Sequence, residues 1–482
     1  MATILAPTPI DGFPTHTSST QSDTENILLS HLPSDLKATP TLDKNAHMQF
    51  LVRNLVQGFP SRYISQDASQ PWLLYWSLQS FSVLQVGLDP GNKQRAIDTL
   101  MAMQHPDGGF GGGPKQSAHL LPTYAAVSAL AIVGRPGDNG GWDQIDRKKM
   151  YEFFMSLKQP DGSFLVAHHS EVDVRGVYCL LVTATLLDIL TPELVEGTAA
   201  FVASCQTYEG GFSSASQPYF TPSSPGSVPS ILKHPRPALG EAHGGYTFCG
   251  LASWVMLQPF ITPDSVKINT KSLVRWLVQM QGLPIELGGF KGRTNKLVDG
   301  CYSWWAGGSF GLLDSIGIAV PPLPTKPESD DEGWDDIDDS LLNRKAIQEY
   351  VLFACQHPAG GLRDKPPKHP DAYHTLYCLA GLSAAQHKVA PSSARRDEIT
   401  QAWKAGAADL VTPEMDSLRK RVFSDSLQYT EEEGTETILG GSVNRVNATH
   451  PIFNLTVTHT EAIMSHFYNQ TVPPRVTKHP KA

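Results

Sequence analysis

The sequence predicts an all-α barrel built from repeated helix pairs. Three observations lead there. Long apolar stretches follow a helical period, and no strand alternation competes with them. A glycine turn recurs five times between those stretches. Once two insertions are removed, the turns return at about 50–55 residues, the mark of a repeat architecture.

The turns are "QHPDGGFGGG", "QPDGSF", "YEGGFSS", "LGGFKGR" and "HPAGGLRD". Their apolar residues are Phe110, Phe164, Phe212, Phe290 and Leu362, separated by 54, 48, 78 and 72 residues on subtraction. The two long intervals contain insertions near 216–240, rich in Ser and Pro, and near 321–343, rich in Pro and acid. Between the turns run helical segments such as "LPTYAAVSALAIVG", "VYCLLVTATLLDIL" and "YTFCGLASWVMLQ". Each repeat is two helices joined at a glycine turn. Such units cannot bury their apolar faces alone, so they stack into one cooperative body. Paired glycines let backbones crowd at one end, which favours a closed barrel over an open solenoid.

In chain order, residues 1–40 are rich in Thr, Ser and Pro and read as a disordered tail. "HMQFLVRNLVQG" opens the barrel and stops at Gly58. The barrel domain runs over 41–385. Residues 386–440 are charged throughout and read as an exposed insertion with some helix. Residues 441–482 regain apolar character and are expected to pack back on the barrel.

At 482 residues the length alone suggests about three domains, a prior that the repeat overrides. A net charge of -9 argues against a nucleic-acid partner. There is no apolar run long enough for a membrane span and no signal-peptide pattern, so a cytoplasmic, non-membrane protein is expected. The six cysteines have no framework spacing and read as reduced thiols. The sequons at Asn447, Asn454 and Asn469 then carry no meaning.

The stretch "LVDGCYSWW" raises the question of chemistry. Asp299 and Cys301 are two apart and do not share a helix face. They converge if they sit at a helix start where Gly300 allows an unusual turn. Carboxylate and thiolate suit zinc, and a catalytic zinc keeps one position open. A third ligand is offered by His374 in "DAYHTLYC", 73 residues on. On spacing alone, a structural aspartate and a buried thiol remain the simpler reading. Arg293 and Lys296 in "GGFKGRTNK" suit a phosphate or diphosphate. His243 stands beside glycines; Arg175 and Tyr178, and then Trp72, Tyr75 and Trp76, stand at helical spacing. Each set also reads as solvated face or core. Together they describe an apolar chain on a diphosphate with a thiol acceptor.

The words "PWLLYW", "FGGGP", "LPTYAAV", "EVDVRGVYC", "EAHGGYTFCGLA", "GRTNKLVDGCYSWW" and "DAYHTLYCLAGLS", in that order, resemble the beta subunits of protein farnesyltransferases, within the protein prenyltransferase beta-subunit family. The resemblance covers about 45–385 and returns at "NRVNATHPIFNL". It implies an alpha-alpha barrel (toroid) with one zinc per beta subunit on Asp299, Cys301 and His374. It implies that His243, Arg293, Lys296 and Tyr302 bind diphosphate. Lys296 and Tyr302 would count as catalytic with the zinc ligands. Trp72, Trp76, Tyr124, Arg175, Tyr178, Cys249 and Trp305 would line the isoprenoid pocket, with Tyr373 bordering peptide and isoprenoid. Asp364 matches the acid associated with magnesium. The implied reaction is farnesyl transfer from farnesyl diphosphate to a C-terminal Cys-a-a-X thiol, on proteins such as small GTPases, in a heterodimer with an alpha subunit. Bulk at Trp72 and Tyr377, with Asp364, favours a fifteen-carbon donor over the twenty-carbon donor of geranylgeranyltransferase type I. That relative and a non-catalytic toroid that binds partners are the alternatives. A terpene cyclase is set aside, because "DDIDD" lies in a Pro- and acid-rich insertion that is normally solvated.

Overall fold

The computed structural model describes residues 5, 7–33, 38–218, 236–262, 265–318, 341–406 and 411–475. The expected insertions near 216–240 and 321–343 lie mostly outside these residues, as does "DDIDD".

In chain order the elements are α1 (His16–Ser30), α2 (Lys44–Val52), α3 (Gln70–Val83), α4 (Pro90–Met101), α5 (Leu120–Val133), α6 (Arg147–Leu157), α7 (Val174–Leu186), α8 (Pro192–Val195) and α9 (Thr198–Ser204). Strands β1 (Ala215–Ser216) and β2 (Ala238–Leu239) pair antiparallel at the base of the first insertion. Then come α10 (Gly244–Leu257), α11 (Thr270–Gln279), α12 (Tyr302–Trp305), α13 (Arg344–Glu349) and α14 (Ala372–Gln386). The chain ends with β3 (Val389–Pro391), α15 (Ser393–Ala402), α16 (Pro413–Leu427), β4 (Tyr429–Glu431) and α17 (Val457–Tyr468).

Helices α3, α5, α7, α10, α12 and α14 form an inner ring, and α14 packs back on α3. Their sequences are apolar all round, as helices buried on both faces must be. A hydrogen bond ties the start of each inner helix to the turn of the next repeat. Gln70 N donates to Gly112 O, Leu120 N to Val166 O, Val174 N to Ser214 O, Gly244 N to Gly292 O and Gly300 N to Asp364 O, all at 2.7–2.8 Å. Ala372 N closes the circuit on Tyr63 Oη at 3.0 Å. The glycine turns crowd the outer helices as expected. A Cβ on Gly108 would sit 2.1 Å from Lys149 O of α6, and one on Gly360 would sit 2.1 Å from Ala46 O of α2. That last contact joins the final turn to the first helix, so the stack is a closed barrel.

Two expectations are corrected. Residues 1–40 are not simply a disordered tail. Thr15 and Ser18 form a capping box that starts α1, Leu28 is fully buried against the barrel, and Gln21 Nε2 donates to Glu286 Oε1 at 2.8 Å. Of its three buried residues, Thr24, Glu25 and Leu28, only Leu28 is apolar, so no apolar stripe betrays the helix in sequence. Residues 386–440 are not simply exposed either. Ile399, Phe423, Leu427 and Tyr429 are buried, and β3 pairs with β4. Two arginines of this segment pair with acids, including acids outside it. Arg395 is buried against Glu398 and Glu461, and Arg419 donates to Asp188 at 2.6 Å. Beyond 440, α17 lies against α5, α7 and α16, with Ile463, Met464 and Tyr468 buried.

Candidate functional site

The inner helices start at one end of the barrel, and their first residues form its rim. Four rim side chains make the same local bond. His119 Nδ1 accepts from Leu121 N, Asp173 from Arg175 N, His243 Nδ1 from Gly245 N and Asp299 from Cys301 N, at 2.8–3.1 Å. Each satisfies an orphan amide of its helix start. This explains the two-residue spacing of Asp299 and Cys301. The Asp299 carboxylate turns forward onto Cys301 N, which brings it beside the Cys301 side chain. Gly300 serves by its missing side chain, because a Cβ there would lie 2.5 Å from Cys378 Sγ and 2.8 Å from Cys355 Sγ.

Helix α14 adds His374. The ligand atoms of Asp299, Cys301 and His374 all lie within 4.8 Å of one another. His374 Nε2 is 3.4 Å from Asp299 Oδ1, while Nδ1 is 2.7 Å from Asp371 Oδ2. Asp371 thus directs Nε2 into the cluster, and its other oxygen caps α14 by accepting from His374 N at 2.7 Å. Burial pushes the Cys301 thiol up, and the Asp299 charge adds to the rise. Burial opposes charge on His374, but hydrogen bonds to Asp299, Asp371 and Cys301 outweigh it and push its pKa up. One sulfur, one nitrogen and one oxygen donor could hold a metal ion that accepts sulfur ligands.

A polar patch adjoins the cluster. His243 Nδ1 accepts a backbone proton, so in the neutral ring Nε2 is the donor. Nε2 lies 3.0 Å from Tyr302 Oη, which leaves the phenol proton free to donate elsewhere. Burial, with Arg293 and Arg175, brings His243 down to about 4, so it is neutral at pH 7. Arg293 pairs with Glu241, and Lys296 is exposed in the same turn. Arg175 is held by Asp173 at 2.6 Å and lies 5.2 Å over the Tyr246 ring. Asp364 is not one of the three clustered ligand candidates but adjoins them, close enough to feel the charges of Asp299 and His374. Its carbonyl accepts from Gly300 N, while its carboxylate pairs with Lys365 at 2.6 Å.

Beneath the rim the inner helices build a closed belt of rings. Trp72 meets Tyr124 at 5.4 Å, Tyr124 meets Tyr178 at 5.4 Å, Tyr178 meets Phe248 at 5.7 Å and Phe248 meets Trp305 at 5.5 Å. Trp305 meets Tyr377 at 4.4 Å, Tyr377 meets Tyr373 at 4.8 Å, Tyr373 meets Trp76 at 5.4 Å and Trp76 returns to Trp72 at 5.5 Å. All six inner helices contribute. Cys249, beside Phe248, is buried as well. Tyr373 is 4.9 Å from His374, so belt and cluster touch.

The structure thus brings Asp299, Cys301 and His374 into one cluster, His243, Tyr302, Arg293 and Lys296 into one patch, and the aromatic residues into one belt, with Asp364 beside the cluster. The sequence reading missed Asp371, Asp173 and Glu241, the partners of His374, Arg175 and Arg293, and it missed Phe248. Asp371 had a signal: an acid three residues before His374 at a helix start. Phe248 reads as core until the ring is closed.

A family model described as "Prenyltransferase alpha-alpha toroid domain" matches residues 42–455. Protein farnesyltransferase subunit beta of Pyricularia oryzae is 37% identical over 406 residues, covering 78% of this chain and 71% of its own. The Schizosaccharomyces pombe protein of that name is 36% identical, covering 76% and 83%. Geranylgeranyl transferase type-1 subunit beta of Arabidopsis thaliana is more distant, at 28% identity over 67% of this chain and 73% of its own. Among solved structures, a Candida albicans protein geranylgeranyltransferase-I superposes with a TM-score of 0.55 over 89% of this chain and 98% of that one; at 18% identity it supports the fold.

Proposed function

The chain belongs to the protein farnesyltransferase subunit beta family, and we propose that it is the catalytic subunit of a zinc-dependent protein farnesyltransferase. The observation that carries this is the meeting of Asp299, Cys301 and His374 at the rim of a closed aromatic belt. The belt suits a farnesyl chain, the His243–Tyr302–Arg293–Lys296 patch suits its diphosphate, and the cluster suits a metal that binds sulfur. The acceptor is the cysteine of a C-terminal Cys-a-a-X sequence. The working enzyme pairs this chain with an alpha subunit in the cytoplasm.

Asp299, Cys301 and His374 would hold zinc, which would supply a Lewis acid able to keep the acceptor sulfur as thiolate at neutral pH. The thiolate sulfur forms a bond to the first carbon of the farnesyl group, and the carbon–oxygen bond to diphosphate breaks. The leaving diphosphate takes the electron pair. Tyr302 donates its phenol proton as a hydrogen bond to that growing charge, oriented by His243. Arg293 and Lys296 add fixed positive charge. Asp364 is the residue for magnesium, provided Lys365 releases it. Trp72 and Tyr377 add bulk that favours fifteen carbons over twenty.

The test is a purified heterodimer assayed with both diphosphates on Cys-a-a-X peptides, with metal analysis beside it. One zinc per beta subunit, lost together with transfer in Cys301→Ala, is expected. Preferred use of the twenty-carbon donor would replace the farnesyl reading with geranylgeranyl transfer. Full activity without metal would remove the mechanism, and no transfer at all would leave a binding toroid.

A further inference from the structure

The two halves of the polar patch come from different parts of the chain. His243 ends the stretch 241–243 and caps α10, and its Nε2 faces Tyr302. Arg293 and Lys296 sit on a hairpin, residues 291–298, closed by a bridge between Lys291 and Val298. Gly244 N donates to Gly292 O at 2.8 Å, which fixes the base of this hairpin to α10. The tip stands out in solvent. Thr294, Asn295 and Lys296 are exposed, and Asn295 turns the chain at a φ of 59°.

One side chain spans the two halves while belonging to neither. Glu209 lies in the third glycine turn, "YEGGFSS". Its Oε2 accepts from Ala242 N at 3.0 Å, and its Oε1 accepts from Thr294 Oγ1 at 3.0 Å. Ala242 immediately precedes His243, and Thr294 immediately follows Arg293. The turn that carries Glu209 is itself well held. Thr207 N donates to Gly211 O at 2.8 Å, and His243 N donates to Phe212 O at 3.0 Å. The turn is also wedged against α11, where a Cβ on Gly210 would sit 2.1 Å from Ser272 O. Among the described residues, the other side-chain tie at the hairpin tip is Arg293 with Glu241. That tie occupies a guanidinium that an anion needs. Glu209 holds the tip without using a cation of the patch.

We propose that Glu209 is a positioning residue for the diphosphate, a staple that sets the separation of His243 and Tyr302 from Arg293 and Lys296. The inference rests on reading the patch as the diphosphate site. A diphosphate has to touch both halves at once, and it binds more tightly when they are already in place. The charge of Glu209 works against an anion, because a carboxylate beside a cationic patch repels it. What the side chain contributes is therefore its two hydrogen bonds.

The test uses the heterodimer with farnesyl diphosphate and one Cys-a-a-X peptide, and calorimetry with inorganic diphosphate. Glu209→Ala and Glu209→Gln remove the same charge. A glutamine still accepts from Ala242 N, and its NH2 donates to Thr294 Oγ1. The alanine variant is expected to show a KM for farnesyl diphosphate and a Kd for inorganic diphosphate about fivefold above the glutamine variant, the scale of one or two part-exposed hydrogen bonds. The KM for peptide and the zinc content stay the same. Thr294→Val removes one arm of the staple, so about a threefold rise is expected alone and none on top of Glu209→Ala. Thr294→Ser keeps the donor and restores binding relative to the valine variant. This exposed position carries the test should Glu209→Ala fail to fold. Equal diphosphate affinity in the alanine and glutamine variants overturns the proposal, as does a rise in peptide KM equal to the rise for diphosphate. A heterodimer that transfers no prenyl group yet shows the fivefold difference with inorganic diphosphate overturns the parent reading and keeps the staple.

Discussion

Asp371→Asn separates two jobs that one carboxylate performs. Asp371 Oδ1 accepts from His374 N at 2.7 Å, and Oδ2 faces His374 Nδ1 at 2.7 Å. An asparagine has one acceptor and one donor in those places. If its oxygen caps the helix, its NH2 meets the Nδ1–H donor; if it flips, the cap is lost. One bond must go. Asparagine caps as well as aspartate, so the cap is expected to persist and folding stability to change by under about 0.5 kcal/mol. The orienting bond to the metal-binding histidine is then the one lost. Removal of such a partner weakens metal binding by about 10- to 100-fold, or about 1.4–2.8 kcal/mol. The assay is zinc competition against a chromophoric chelator, with urea denaturation of the same sample. Unchanged zinc affinity would refute the claim that Asp371 sets the His374 orientation. Equal losses of affinity and stability would show that the effect runs through the cap.

Two further outcomes follow from the geometry. A Cβ on Gly292 would lie 2.0 Å from Tyr302 Cζ, against an ordinary contact of 3.4 Å, so Gly292→Ala must push the phenol by about 1.4 Å (3.4 minus 2.0). Misplacement on that scale costs about 100-fold in kcat/KM, with zinc content unchanged; a loss under threefold would show that Tyr302 is not needed in place. Separately, burial brings His450 down to about 3, with the Ser426 carbonyl pulling the other way. Its unfolded value is about 6.5, so between these values the unfolded chain binds the extra proton. The neutral folded form is thus favoured above pH 6.5, and stability is lost as pH falls from 6.5 toward 3, by about 5 kcal/mol over the window. Urea profiles of His450→Gln against the parent at pH 7 and pH 4.5 check this, and identical pH slopes would refute it.

The barrel was legible because its signals are local and repeated. Phe110, Phe164, Phe212, Phe290 and Leu362 occupy equivalent turns, and one repeat read correctly supports the next. The three proposed metal ligands were less legible. Nothing in the spacing of Asp299 and His374 places them together; the match to a family's words did. What the sequence concealed was polar and long-range. Helix α1 docks through Leu28 and the Gln21–Glu286 contact, which resembles solvated chain in composition. The 386–440 segment buries Arg395 and Arg419 against acids that lie far along the chain, and charge counts cannot distinguish paired from solvated residues. The turn at 450–455 was legible as apolar packing and as part of a returning family word, but its bonds to hydroxyls of Tyr75, Tyr124 and Tyr178 from three other repeats were not.

The position of the chemistry follows from a structural need. A barrel of this kind starts its inner helices at one rim, and each start exposes amides without partners. The chain meets that need with side chains that accept a proton at short range: His119, Asp173, His243, Asp299 and Asp371. Those are the residue types that bind metals and anions. Capping consumes only one atom of each. His243 caps with Nδ1 and turns Nε2 to Tyr302, and Asp371 caps with Oδ1 and orients His374 with Oδ2. The spare atoms all face one rim, above one aromatic chamber. Much of the site is therefore supplied by the groups that cap the helix starts.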